Sequence, residues 1–513
     1  MPRNDYLQGI KEMFKPIFLT LLFGARKKRN SPRFFFQGVV TGGLFIFSIA
    51  ALAEVKPPFL EGPEARFSES RLDKSGMDGG GASQGYSPAV STPSQQSGKE
   101  YAASPGEESL EKRLSLQDAI KTALRDNPGL AEMRARAEAM AAIPSQVGSL
   151  PDPVISFNTL NLPVDTFDRS QEAMTQLQIG ISQAFPFPGK LGLRRSAAEY
   201  EAAAAGNDVH EVRLLLIRDV KQTWWNLFYL DQALETVKRN QALMRQFVEI
   251  AQTKYRVGQG LQQEVLLAQV ELSKLLDLEV QLTALRRTSE ARLNALLNWP
   301  TTRPLRLPVE VETKLQPLAL EETWQRQAEK NRPLLAAEQH RIEAARERRD
   351  LAKKDYYPDF KLGTAYGFRS GNDPLRGGAR ADFASVMFSM TVPLYAGSKQ
   401  AKAVDQRSSE VLQQIYSLQD RRQQVRREIS TALANYQQAR EQFLLFKTGI
   451  IPQARQTVAS MLAGYQVNKV DFLNLVNAQI TLYNFETQYW KVLAEAHQAL
   501  AALSAATGEE ETK

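Results

Sequence analysis

A proline-free run from Gly189 to Trp299 constrains this chain more than any other feature. The run is rich in Ala, Leu, Glu, Gln and Arg, the residues that lose least free energy on entering a helix. Two glycines interrupt it at Tyr255-Arg-Val-Gly-Gln-Gly260, where one helix can end and the chain can reverse. We therefore predict a long helical hairpin. Its first helix, from Leu193 to Tyr255, would be a rod of about 95 Å.

The same pattern returns between Gly397 and Thr507. Tyr255-Arg-Val-Gly258 aligns with Tyr465-Gln-Val-Asn468 at an offset of 210 that holds without a gap through the next helix. Earlier landmarks recur as well: Asn127-Pro-Gly-Leu130 matches Asn331-Arg-Pro-Leu334 at an offset of 204, and Leu150-Pro-Asp152 matches Tyr357-Pro-Asp359 at 207. Self-similarity of this kind predicts a tandem duplication.

The repeat sets the predicted domain organisation. Residues 113–308 form the first structural repeat, with strands at about 153–162 and 174–184 and a helical hairpin at about 190–298. Residues 309–513 form the second, with strands at about 360–369 and 384–394 and a helical hairpin at about 397–507. In the second hairpin we expect a kink or break at Pro452, which follows Thr448-Gly449, because proline cannot continue a regular helix.

The predicted strands alternate between apolar and polar or small residues. Between Thr175 and Ser182, Leu177, Ile179 and Ile181 share one face, and the strands on either side of the loop Gly371 to Asp382 alternate in the same way. A soluble sheet would show similar strands, but lengths of about nine to eleven residues also suit a bilayer-spanning strand. Four strands cannot close a barrel, and an open edge in lipid is prohibitive, whereas three copies supply twelve strands.

The N-terminal 53 residues have the layout of a signal peptide. A basic Arg26-Lys-Lys-Arg29 precedes an apolar stretch from Phe34 to Leu52, and Ala51-Leu-Ala53 matches the small-x-small cleavage pattern. We predict cleavage after Ala53, with a single membrane anchor as the alternative. Residues 54–112 are rich in Ser, Gly, Pro and charge, and we expect a flexible linker or arm.

Charge and composition exclude several classes of function. Residues 1–53 hold eight Lys/Arg and two Asp/Glu, so the rest of the chain is nearly neutral, which argues against nucleic-acid binding because that function needs a concentrated basic face. The chain has no cysteine, which excludes disulfides, thiol metal sites and N-terminal lipidation on cysteine.

No residue pattern predicts an enzyme, a cofactor or a metal site. The histidines, His210, His340 and His497, are isolated on helical stretches without a His-Glu-x-x-His pair, and we expect surface positions for them. Gly189-Lys190 lacks the spacing of a phosphate-binding loop and is better explained as an elbow between strand and helix.

Two repeats of strand hairpin plus long helical hairpin, with the Tyr-x-Val-Gly and Leu-x-Ala-Gln signatures, resemble the TolC-like outer-membrane efflux proteins. The resemblance covers about Leu114 to Gly508. It implies a mainly α protein with a membrane β-barrel, in which a homotrimer forms a twelve-stranded barrel in the outer membrane, continued by an α-helical barrel across the periplasm. The elbow Phe185-Pro-Phe-Pro-Gly-Lys190 is similar to that of the heavy-metal cation efflux subgroup.

The resemblance also implies a function and partners. The chain would be the outer-membrane exit duct of a tripartite efflux system, surrounded by outer-membrane lipid and docked onto a periplasmic adaptor and an inner-membrane pump. The helix reversals would form a periplasmic tip that is both gate and docking surface. Its candidate residues are Tyr255, Arg256, Glu264, Tyr465, Asn474 and Asn477.

An alternative for the tip residues is that they only pack the tip. Two other classes of protein also stay open on the sequence. A structural coiled-coil protein of the cell envelope would not need the alternating strands. A periplasmic adaptor would show one helical hairpin flanked by the halves of a β-domain, rather than a twofold repeat.

Overall fold

The computed structural model describes residues 113–373, 375 and 377–509. The predicted signal peptide and the predicted arm at 54–112 lie outside the described residues. The described chain forms a single compact unit in which the elements of the two repeats interleave.

Each repeat contributes a pair of shorter helices, two strands and a pair of long helices. In the first repeat these are α1 (Leu116–Asp126), α2 (Pro128–Gly148), β1 (Val154–Leu160), β2 (Gln176–Phe185), α3 (Lys190–Arg256) and α4 (Gln262–Leu296). In the second repeat they are α5 (Glu321–Asn331), α6 (Pro333–Lys354), β3 (Phe360–Arg369), β4 (Phe383–Met390), α7 (Gln400–Leu445), a π-helical turn (Phe446–Ile450), α8 (Ile451–Gln466) and α9 (Phe472–Thr507).

Local sequence explains where the shorter helices begin. Ser115 caps α1 by accepting a hydrogen bond from the backbone N–H of Asp118 at 3.1 Å. Asn127 caps α2 in the same way through the N–H of Leu130 at 3.0 Å, and Pro128 occupies the first helical position, where its missing N–H costs nothing.

The predicted interruption of the second long rod is confirmed as the π-helical turn Phe446–Ile450, between α7 and α8. Pro452 follows at the start of α8 and has no N–H to donate to the preceding turn. The wider π-helical turn absorbs this missing hydrogen bond without ending the rod. In the first repeat α3 has no proline and runs unbroken for 67 residues.

The described strands form one antiparallel sheet in the order β1-β2-β3-β4. The central pair joins the two repeats, since Ile179 of β2 lies opposite Tyr366 of β3. The apolar face of this sheet is exposed: Ile179 is 41% exposed, Tyr366 47% and Phe388 66%. The opposite face carries small and polar residues such as Gln178, Gly180 and Ser385. The predicted alternation is thus confirmed.

The helices bury a series of apolar clusters along their length. One cluster surrounds Trp224, Trp225 and Phe228 of α3, and another joins α7 to α9 around Tyr436 and Phe443. The cluster furthest along the hairpins packs α3, α4, α8 and α9 together. None of the described helices combines the length and the apolar character needed to cross a membrane.

Two expectations need correction. The helix α2 begins at Pro128 and α6 begins at Pro333, which gives an offset of 205 rather than the 204 read from the asparagines. The residues that precede these prolines correspond, because each donates a hydrogen bond to a carbonyl near the end of a long helix. Asn127 donates to the carbonyl of Leu296 at the end of α4, and Arg332 donates to that of Ala505 near the end of α9.

The second correction concerns His497, which is half-buried rather than an exposed surface residue. Its ring stacks on Trp225 with centroids 3.8 Å apart, and its Nε2 atom is buried without a hydrogen-bond partner. Burial lowers the pKa of His497 to about 4, against a smaller opposing effect of a backbone hydrogen bond with Glu312. The ring is therefore neutral at pH 7 and serves as an aromatic packing group.

Candidate functional site

The candidate site is the end of the molecule where both helical hairpins reverse. In the first reversal the N–H of Gln259 donates to the carbonyl of Lys254 at 2.9 Å, and in the second the N–H of Lys469 donates to that of Gly464 at 2.9 Å. The residues in the left-handed conformation also correspond, Gly258 with φ of 73° and Asn468 with φ of 58°. Both reversals therefore use the same helix-ending motif.

The two reversals differ in where close packing requires a glycine. In the first, a Cβ added to Gly260 would lie 2.9 Å from the Cβ of Lys254. In the second, a Cβ added to Gly464 would lie 2.5 Å from Val470. At the offset of 210, Lys254 corresponds to Gly464 and Gly260 to Val470. Each turn thus has one position where a Cβ would clash, and only the first leaves room for a long side chain at the helix end.

Lys254 uses that room to contact the other hairpin. Its Nζ atom donates to the backbone carbonyl of Tyr465 at 2.6 Å and to Oδ1 of Asn468 at 2.6 Å. The same ammonium lies 3.9 Å from the centre of the Tyr465 ring, close enough for a cation–π attraction. Lys254 thereby joins the end of α3 to the end of α8.

Tyr465 makes the second link between the hairpins. Its hydroxyl donates to Oε2 of Glu264, in the first turn of α4, at 3.1 Å. The ring is 4% exposed and packs against Phe472 with centroids 5.2 Å apart. Burial, together with the charge of Glu264, raises the pKa of Tyr465 well above its usual value, so the hydroxyl keeps its proton and remains a donor.

The other four predicted site residues do not join these contacts. Tyr255 is 48% exposed, although it occupies the position equivalent to Tyr465. Arg256 is exposed and donates only to Thr253 of its own helix, at 3.3 Å. The side chains of Asn474 and Asn477 are exposed on α9.

Sequence reasoning missed Lys254 and Asn468. Asn468 carried a usable signal, because asparagine at the position matching Gly258 indicates a left-handed helix end. Lys254 carried none, since a lysine near a helix C-terminus is ordinarily a solvated residue that interacts with the helix dipole. Among the described residues no group of three His, Asp or Glu is placed to hold a metal ion.

Known proteins match this chain in both sequence and fold. The family model described as "Outer membrane efflux protein" matches residues 119–298 and 324–509. No curated protein matches the chain in sequence.

Solved structures with a similar fold include several outer-membrane channels. The outer-membrane channel OprN is 18% identical, with a TM-score of 0.65 over 77% of this chain and 89% of that one. The outer membrane protein VceC of Vibrio cholerae is 20% identical, with a TM-score of 0.65 over 77% of this chain and 96% of that one. The MtrE outer membrane channel of Neisseria gonorrhoeae, solved in an open state, is 17% identical, with a TM-score of 0.64 over 77% and 89%.

Proposed function

The chain belongs to the outer membrane efflux protein family, and we propose that the contacts between its helix reversals latch the periplasmic gate of its channel. The protein is an outer-membrane exit duct of a tripartite efflux system rather than an enzyme, an adaptor or a structural coiled coil. It works as a homotrimer with a periplasmic adaptor and an inner-membrane pump. The predicted fold class, with its trimeric barrel and periplasmic helical extension, is confirmed.

The observation that carries the proposal is the cross-hairpin set Lys254, Tyr465, Glu264 and Asn468. Each contact joins the hairpin of the first repeat to that of the second. Three copies bring six reversals together at the periplasmic end of the duct, and widening the pore there requires hairpins to move apart. Contacts between hairpins therefore favour the closed state over the open one.

The strength of the latch suits a gate that must reopen. Hydrogen bonds to charged groups contribute about 1.5–3 kcal/mol each when buried, and less when partly exposed, as the ammonium of Lys254 is here. The relative MtrE has been solved in an open state, which supports a tip that can be released. The exposed amides of Asn474 and Asn477 are uncharged, so a rim of the pore formed by them would attract cations less than carboxylates would.

Single-channel conductance of the reconstituted trimer tests the latch. We expect Tyr465→Phe combined with Glu264→Gln to raise the closed-state conductance, and Lys254→Met to raise it further. Loss of about 1–2 kcal/mol from the closed state would increase the open population roughly five- to thirtyfold.

Tyr255→Phe is the matched control, because Tyr255 occupies the equivalent position in the first repeat but has an exposed side chain. It should leave conductance at the wild-type level. If the triple variant forms trimers and conducts like the wild type, these residues only pack the tip and the latch is rejected.

We also propose that residues 1–53 are an export signal removed after Ala53, followed by an arm at 54–112 and by repeats at 113–308 and 309–513. The basic, apolar and Ala-x-Ala order of the N-terminal segment supports this division. The intact mass of protein purified from outer membranes should correspond to a chain that begins at Glu54. A mass that includes residues 1–53 would instead indicate a retained membrane anchor.

A further inference from the structure

The level at which the strands give way to the long helices carries an unusual surface. Phe185, Phe360 and Met390 lie side by side at the end of the sheet, so the segments beyond them share one height. We call residues 186–195, 353–361 and 391–402 the junction band. Its segments are tied together, since Asp359 accepts from the N–H of Phe187 at 2.8 Å and Thr391 donates to the carbonyl of Asp359 at 3.0 Å.

The junction band is strongly basic. It contains eight Lys/Arg and two Asp/Glu, whereas residues 54–513 as a whole contain 56 and 55. Both acids in the band are already engaged, because Nζ of the buried Lys190 lies 3.1 Å from Asp355 and 3.0 Å from Asp359. Arg195 and Lys353 pair with Glu199 and Asp350 just outside the band, so the excess positive charge comes from the other basic residues of the band.

Two lysines near the start of α7 are available to a ligand. Lys399 is exposed, and its side chain has no partner among the described residues. Lys402 pairs with Asp405 at 2.9 Å, but the two side chains are 74% and 67% exposed. An ion pair in water contributes little and exchanges readily for another anion.

Exposed apolar residues precede these lysines. Val392 and Leu394 follow Phe388 and Met390 of β4 along the chain and are 58% and 79% exposed. Tyr395 beside them is 73% exposed. The exposed apolar surface of the sheet is thus followed along the chain by the aromatic side chain of Tyr395 and then by the two lysines. Aromatic and basic side chains in this order occur where a membrane meets water.

We propose that Tyr395, Lys399 and Lys402 bind the headgroups of anionic phospholipids in the periplasmic leaflet of the outer membrane. Leu394 and Val392 would contact the upper acyl chain, and the ammonium groups the phosphate. Charge complementarity and continuity with the lipid-facing surface select this ligand. The proposal rests on the outer-membrane location of the trimer and is independent of the latch at the tip.

Native mass spectrometry of the detergent-solubilised trimer tests the site. Phosphatidylglycerol and phosphatidylcholine with the same acyl chains would be added in equal amounts, and we expect preferential retention of phosphatidylglycerol. Lys399→Gln combined with Lys402→Gln should lower that retention about five- to thirtyfold, since each lysine near an anionic surface contributes roughly a factor of five. Lys399→Arg combined with Lys402→Arg should restore it.

Lys447→Gln combined with Lys491→Gln is the matched control. This variant removes the same charge at positions far from the sheet. Lys447 has no acidic partner among the described residues, as for Lys399, and Lys491 pairs with Glu495 along its helix, as Lys402 does with Asp405. Equal retention of the two lipids by the wild type would overturn the proposal. An equal loss in the control variant would show attraction to net charge alone and would overturn it as well.

Discussion

Replacing Arg332 with methionine is expected to lower the free energy of unfolding by about 3–5 kcal/mol, because the change leaves a buried carboxylate without its counterion. Arg332 is 4% exposed, and its guanidinium binds Glu211 of α3 through two hydrogen bonds, of 2.9 and 2.6 Å. It also contacts Glu428 of α7 at 3.6 Å and donates to the carbonyl of Ala505 in α9. One side chain thus ties together long helices of both repeats.

The measurement is guanidinium-induced unfolding of the trimer in detergent. Adding Glu211→Leu to Arg332→Met should recover much of the loss, since replacing both members of a buried pair with apolar groups is far less costly than removing one. Arg348→Met is the control on the same seam between α3 and α6, because its bond to Glu201 leaves Arg348 43% exposed, and we expect a loss below about 1 kcal/mol. Equal losses of stability for Arg332→Met and Arg348→Met would show that burial of the Arg332–Glu211 pair has no special effect on stability.

Replacing Ile179 with arginine is expected to destabilise the folded trimer by about 2–4 kcal/mol if the residue lies near the bilayer midplane. Ile179 occupies the middle of β2 on the exposed apolar face, directly opposite Tyr366. A guanidinium on this face must enter hydrocarbon or distort the bilayer around it. The cost is measured as the shift in the unfolding midpoint of trimer reconstituted in lipid vesicles.

Ser385→Arg is the control for this substitution. Ser385 lies beside Ala384, which pairs with Tyr366, and it points to the face that carries Gly180 and Gln178. That face is polar and would line the interior of the barrel rather than contact lipid, so we expect little change. A similar midpoint for Ile179→Arg and wild type, in vesicles that contain the folded trimer, would show that the apolar face does not contact lipid.

The contacts between the two repeats differ in burial along the hairpins. The bidentate pair of Arg332 with Glu211 is buried and fastens long helices of the two repeats near the end of α9. The links made by Lys254 and Tyr465 join the same hairpins at their reversals, where the ammonium is partly exposed. We therefore expect the buried contacts of Arg332 to persist when the contacts at the reversals are lost.

Local pattern in the sequence determined the elements and their order. These patterns are local: high helix propensity, two glycines at a reversal and alternation of apolar side chains depend on near neighbours along the chain. They can therefore be recognised without a structure. Because of the duplication each element could be predicted twice, once in each repeat, and the agreement supported the fold class and the family. It also pointed to Tyr465 and Glu264, through their positions at the reversals.

Tertiary structure alone decided which side chains meet. Lys254 and Tyr465 are 211 residues apart, and Arg332 and Glu211 are 121 apart, so their contacts depend on how the two repeats fold against each other. The duplication does not predict that Tyr255 is exposed and Tyr465 buried, because equivalent positions in the two reversals face different surroundings. It also concealed that Arg332 and Asn127 each donate to a carbonyl near the end of a long helix, and that His497 stacks on Trp225. Periodicity specifies a helix, whereas a partner across the molecule is specified only when the helices have packed.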